Sequence, residues 1–182
     1  MPDPTRILAI PGSLRRRSHS RSLIEVAGRI GGPDVEIEVY EDLASIPAFN
    51  EDDEGDGTPA AVIDLRRRVG AADALLISTP EYNGSIPGAL KNALDWASRP
   101  YGVAEIVGKP VGLVSSSPSP FGGTWAVEDL RKVIERSGGA PVGPAVSIAK
   151  VHEEGASDEV AQQIAALLAR LVTATRLELE VA

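Results

Sequence analysis

Residues 6–27 read RILAIPGSLRRRSHSRSLIEVA. A run of apolar residues, Ile7-Leu8-Ala9-Ile10, breaks at Pro11-Gly12. A polar loop follows, and then Leu23, Ile24 and Ala27 recur at helical spacing. A short apolar run bounded by turn residues predicts a buried strand, and the 3–4 residue spacing predicts a helix packed on one side. The loop between them carries Ser13, Ser18 and Ser20 together with Arg15, Arg16, Arg17 and Arg21. That basic cluster sits in a chain whose formal net charge is -8.

The same unit recurs along the chain. Further strands are predicted over Val35–Tyr40, Ala74–Thr79, Pro110–Ser115 and Val142–Ile148, in addition to Arg6–Ile10. Between and after them, helical faces are formed by Val62, Leu65 and Val69, by Leu90, Ala93, Leu94 and Ala97, and by Ala126, Val127, Leu130, Val133 and Ile134. The last runs from Val160 through Ile164, Leu167, Leu168 and Leu171, with Ser157-Asp158-Glu159 as a capping, acidic first turn. Strand-then-helix repeats build a parallel sheet covered on both faces, with right-handed crossovers. The expectation is an α/β fold of three layers, flavodoxin-like, with a five-stranded parallel sheet of order 2-1-3-4-5. One domain is expected over residues 1–182.

Composition narrows the function. The chain has 182 residues, 43% of them hydrophobic and 24% charged, as in ordinary soluble domains. No run approaches ~18 consecutive apolar residues, and MPDPTR leads into the first strand without a signal-peptide apolar region. With no cysteine, thiolate chemistry, disulfides and cysteine metal sites are excluded. The two histidines, His19 and His152, leave little for histidine acid–base chemistry, and no Ser/His/Asp arrangement supports a hydrolase. A cytoplasmic protein without nucleic-acid or membrane partners is expected, since net negative charge repels a phosphate backbone.

In an open parallel sheet the ligand lies beyond the carboxyl ends of the strands, where strand order reverses. For order 2-1-3-4-5 the loops after strands one, three and four meet there: GSLRRRSHS (12–20), TPEYNGSIPG (79–88) and SSSPSPFGG (115–123). The first contains neither a dinucleotide fingerprint nor a nucleotide-triphosphate loop. A helix N-terminus with hydroxyls and a guanidinium suits one terminal phosphate; a capping serine beside solvated arginines is the simpler alternative. In the second, Asn83-Gly84 is a turn dipeptide and Tyr82 offers an aromatic body with a polar tip. A tight turn held by its own hydrogen bonds explains the glycines and prolines but not the company of Glu81, Tyr82 and Asn83. The third is, alone, an ordinary Ser/Pro/Gly loop.

These three segments, extended to 78–100 (STPEYNGSIPGALKNALDWASRP) and 115–134 (SSSPSPFGGTWAVEDLRKVI), resemble the signatures of the NADPH-dependent FMN reductase family, in its quinone and chromate reductase branch. The resemblance covers most of residues 6–148. It implies that Ser13, Arg15, Ser18 and Ser20 surround an FMN phosphate. It implies further that Pro80, Glu81, Tyr82, Asn83 and Gly84 border the flavin ring and ribityl chain, and that Ser115 and Ser117 approach from the other side. The implied activity is hydride transfer from NADPH or NADH through bound FMN to a quinone-, flavin- or metal-oxyanion-type acceptor. No protein acid, base, nucleophile or metal is then required. A homodimer or homotetramer is implied as well. Ser20 stands where the family usually has asparagine, and Trp125 and Glu128 stand where an arginine and an aromatic residue are usual. An electron carrier and a non-redox protein keeping the fold are the alternative readings.

Overall fold

The computed structural model describes residues 3–149 and 157–181, with side chains described as far as residue 177. Strand β1 (Thr5–Pro11) leads to helix α1 (His19–Ile30), and β2 (Val35–Val39) to α2 (Ala60–Ala71). Then come β3 (Ala74–Pro80), α3 (Gly88–Ala97), β4 (Pro110–Ser116) and α4 (Thr124–Arg136). Two short strands, β5 (Ala140–Pro141) and β6 (Val146–Ile148), precede α5 (Asp158–Val181). All strand pairs are parallel, in the order β2-β1-β3-β4-β5, with β6 also pairing β4.

The central strands alternate between two cores, as a pleated strand must. Leu8 and Ile10 face α2, α3 and α4, whereas Ile7 and Ala9 face α1 and α5. Both faces of β1, β3 and β4 are therefore dry, which explains their unbroken apolar runs. Ser157 caps α5 through its hydroxyl, which accepts from the Val160 N–H at 3.3 Å. Of the expected strand over 142–148 only Val146–Ile148 is strand, and a separate two-residue strand lies just before that range at Ala140–Pro141. Pro141 and Pro144 have no N–H to give the ladder, and Gly143 adopts a φ of 64°.

The acidic stretch 50–57 is tied to the end of α3. Glu51 and Glu54 both pair with Arg99, at 2.5 and 3.1 Å. At the end of β2, Tyr40 is buried and its hydroxyl has no partner among the described residues. Burial, aided by Asp42 and Asp64, pushes its phenol up to about 12. The folded value lies above the unfolded one near 10, so this stability is complete below pH ~10 and lost as pH rises through 12, on the order of 2–3 kcal/mol. Tyr40→Phe is expected to be neutral or up to about 1 kcal/mol stabilising at pH 7. It should also flatten urea-unfolding stability between pH 10 and 12, and an unaltered alkaline loss would contradict the assignment.

Candidate functional site

The carboxyl ends of β1, β3 and β4 bring the three predicted loops together. Gly12 donates its N–H to the Ser78 carbonyl at 2.7 Å, and the Ser13 and Tyr82 hydroxyls lie 3.3 Å apart. Pro80 is in register with Ser116, which seats the second loop beside the third.

In the first loop Ser13 is half-buried, Leu14 to Arg17 are exposed, and Ser18 and Ser20 are buried. Ser18 holds the N-cap position of α1, yet no side chain caps this helix. The simpler capping reading of these serines therefore does not describe them. Ser20 is 0% exposed and its hydroxyl is without a partner among the described residues. Arg21 is consumed by ion pairs with Glu41 and Glu25, whereas Arg15, Arg16 and Arg17 form none among the described residues. His19, half-buried, starts the helix; His152 lies outside the described residues.

The second loop is a tight turn as well as a candidate wall. Tyr82 and Ser85 exchange both backbone hydrogen bonds, at 2.9 and 3.1 Å. Asn83 and Gly84 between them take φ of 53° and 74°, the backbone that an Asn-Gly pair adopts most readily. Tyr82, Asn83 and Gly84 stay exposed while Pro80 and Glu81 are half-buried. Glu81 points its carboxylate at the first turn of α4, accepting from the Ala126 N–H at 3.3 Å. Ser85 donates to Asp129 at 2.7 Å. Lys132, and then Ser85, hold the Asp129 carboxyl below its usual range. Nothing in the sequence marks these long-range ties.

Ser115 and Ser117 are both buried. The Ser115 hydroxyl donates to the Gly122 carbonyl at 2.8 Å, and Ser117 meets Ser119 at 3.0 Å. Gly122 (φ 65°) lies so near the end of β6 that a Cβ would stand 3.1 Å from the Ala149 nitrogen. Its lack of a side chain is thus structural. Phe121 and Trp125, 59% and 50% exposed, lie with ring centroids 5.2 Å apart. Sequence reading placed Trp125 but gave no reason to expect this aromatic pair at the rim. Trp96, by contrast, is wholly core.

The donor set fits FMN. An uncapped helix N-terminus, the Ser13 and Ser18 hydroxyls, and the Ser20 hydroxyl and Arg15 guanidinium, which lack a hydrogen-bond partner and an ion pair respectively among the described residues, suit a phosphate monoester. Two more buried hydroxyls without partners among the described residues, Ser78 and Ser116, lie toward the same ends of β3 and β4. A parallel sheet with such a site at its switch point defines a flavodoxin-like flavin-binding protein.

Comparison with known proteins gives the family. The model of the NADPH-dependent FMN reductases matches residues 5–153. An NAD(P)H-dependent FMN reductase of Pseudomonas aeruginosa is 42% identical over 134 residues, 74% of this chain and 71% of that one. A 2-hydroxy-1,4-benzoquinone reductase of a Burkholderia species is 38% identical over 128 residues, 70% and 69% of the two chains. Among solved structures, a flavoenzyme NAD(P)H:acceptor oxidoreductase from Paracoccus denitrificans superposes with a TM-score of 0.82 at 29% identity, covering 93% of this chain and 98% of that one. The chain belongs to the NADPH-dependent FMN reductase family. It is an oxidoreductase with FMN as cofactor and NAD(P)H as hydride donor.

Proposed function

We propose that residues 1–182 act as a single FMN-binding domain that uses NAD(P)H to reduce quinones and similar small planar acceptors, with free flavin and metal oxyanions as slower ones. The observation that carries this reading is the meeting of the arginine- and hydroxyl-bearing loop with the Tyr82-Asn83-Gly84 turn, tied through Ser13 and Tyr82. Quinone reductases among the relatives support the acceptor class.

In this reading Ser13, Arg15, Ser18 and Ser20 hold the phosphate, and Pro80, Glu81, Tyr82, Asn83 and Gly84 border the ring. Ser115 and Ser117 support the opposite side, Ser115 by fixing the Gly122 turn rather than by offering its hydroxyl outward. FMN held by these residues would supply the redox chemistry, a two-electron path from the reduced nicotinamide to the acceptor. The negative charge of Glu81 faces the N-terminus of α4, whose dipole offsets it close to the ring. No side chain has to act as acid, base or nucleophile.

Family resemblance and the exposed Phe121, Trp125, Tyr101, Val103 and Val107 favour a homodimer or homotetramer, which sedimentation would count. No described helix is long and apolar enough to cross a membrane. We place the protein in the cytoplasm, where reduced nicotinamide is available.

NADPH oxidation with 1,4-benzoquinone, free FMN and chromate in turn tests the acceptor class. Benzoquinone is expected to give the highest kcat/KM, and turnover confined to chromate would overturn the reading. Asn83→Gly keeps the left-handed turn while removing the amide. It should slow flavin reduction several-fold and leave the melting temperature within a few degrees. The reverse pattern would make Asn83 a turn residue only.

A further inference from the structure

The tip of the second loop owes its position to polar ties rather than to packing. Tyr82, Asn83 and Gly84 are exposed, and a side chain added at Gly84 would meet no described atom within 4 Å. Among the described residues two side-chain hydrogen bonds hold the turn from Tyr82 to Ser85. At its start the Tyr82 hydroxyl meets that of Ser13 at 3.3 Å. At its end the Ser85 hydroxyl donates to Asp129 Oδ2 at 2.7 Å. The second bond is the stronger, being shorter and having a charged acceptor.

Helix α4 supplies that acceptor. Ala126 and Asp129 stand three residues apart, on one face of the helix. The Ala126 N–H donates to Glu81, so this face grips the loop on both sides of its exposed tip. The two carboxylate oxygens of Asp129 are divided between partners. Oδ2 accepts from Ser85, and Oδ1 accepts from the Lys132 ammonium at 2.5 Å. Lys132 is 68% exposed, and a solvated ion pair within one helical turn adds little to stability. What it does is turn the carboxylate, leaving Oδ2 aimed at the loop.

We propose that Asp129 is a positioning residue: through Ser85 it sets where the 82–85 turn stands against the flavin ring, and so governs the rate of hydride transfer rather than flavin affinity or folding. The inference rests on the flavin reading of that turn. In that reading the phosphate is held by the loop after β1, so a displaced turn costs rate before it costs affinity.

The test begins without flavin. In the apoprotein the Tyr82 and Ser85 N–H groups donate to each other's carbonyls. Asp129→Ala should raise the hydrogen-exchange rates of both at least tenfold, while amides within β3 such as that of Leu76 keep theirs. With FMN bound, Asp129→Ala should slow flavin reduction by NADPH about tenfold. It should change FMN affinity less than threefold and leave the melting temperature within a few degrees. Ser85→Ala should reproduce the slowing, and the double variant should be no slower, as residues acting through one bond require. Asp129→Asn, whose amide oxygen still accepts from Ser85, should recover most of the rate. Asp95→Ala removes a carboxylate of similar exposure from its pair with Lys91 on α3, and should alter neither exchange nor reduction. Losses that add in the double variant, equal slowing by Asp95→Ala, or affinity that falls in step with rate would each overturn the proposal. Failure of the flavin reading would look different: faster exchange at Tyr82 and Ser85 in Asp129→Ala, beside a wild type that retains no FMN.

Discussion

Arg15→Ala is expected to weaken FMN binding by roughly 10- to 150-fold, the equivalent of about 1.5–3 kcal/mol for a charge-assisted contact. Arg15 is exposed, and its guanidinium forms no ion pair among the described residues. Removing it therefore breaks nothing in the apoprotein, and the loss falls on the ligand. Its backbone N–H, directed at the Ser13 hydroxyl at 3.3 Å, survives the change. Arg15→Lys should recover part of the affinity, because an ammonium keeps the charge but not the planar fork. Salt should weaken FMN binding more in the wild type than in the variant, so the defect should narrow as ionic strength rises, because the screened term is the one deleted. Fluorescence titration of FMN measures all three proteins. Unchanged affinity in Arg15→Ala would move the phosphate away from this loop.

Trp96→Ala should cost about 3–5 kcal/mol of global stability, a large share of the ~5–15 kcal/mol available to a domain. Trp96 is 0% exposed on α3, the helix that follows the Tyr82–Ser85 turn. Its ring meets Phe49 edge-on with centroids 4.9 Å apart, and the Arg66 guanidinium lies 5.7 Å from its centroid. Its Nε1–H donates to the Pro47 carbonyl at 2.9 Å. Alanine would leave a cavity and remove one of the two hydrogen bonds to the Pro47 carbonyl, which keeps the one donated by the Asn92 side chain at 2.8 Å. Trp96→Phe should lose less, because it keeps much of the volume and forfeits chiefly the hydrogen bond. Urea unfolding checks both, and a loss under 1 kcal/mol for alanine would contradict the packing. Added FMN should raise the midpoint of the variant as well as of the wild type, since binding to the folded state stabilises by mass action.

Much of this was legible in the residues. The runs at 6–10, 74–79 and 110–115 announce strands because both of their faces are buried. Strand order follows from five strands suiting the flavodoxin-like arrangement among doubly wound sheets. The expected strand over 142–148 exists only at 146–148, because Gly143 and Pro144 interrupt the ladder where apolar residues between breakers read as strand. The candidate site was legible because the three unusual loops all end strands at one edge. Its internal ties were not. Glu81 to Ala126 and Ser85 to Asp129 join residues more than forty positions apart, and neither periodicity nor turn chemistry carries such information. The family resemblance sets Ser115 beside the cofactor, but that its hydroxyl donates to the Gly122 carbonyl needed the fold. The pairing of Arg21 with Glu41, which singles out the remaining arginines, likewise needed the fold.

The most direct test of the central claim is the absorbance spectrum of the purified protein after incubation with FMN and desalting, followed by anaerobic addition of NADPH. Flavin peaks that co-elute with the protein and bleach promptly are the predicted result. Peaks that are absent after desalting, or that persist under excess NADPH and NADH alike, would contradict it.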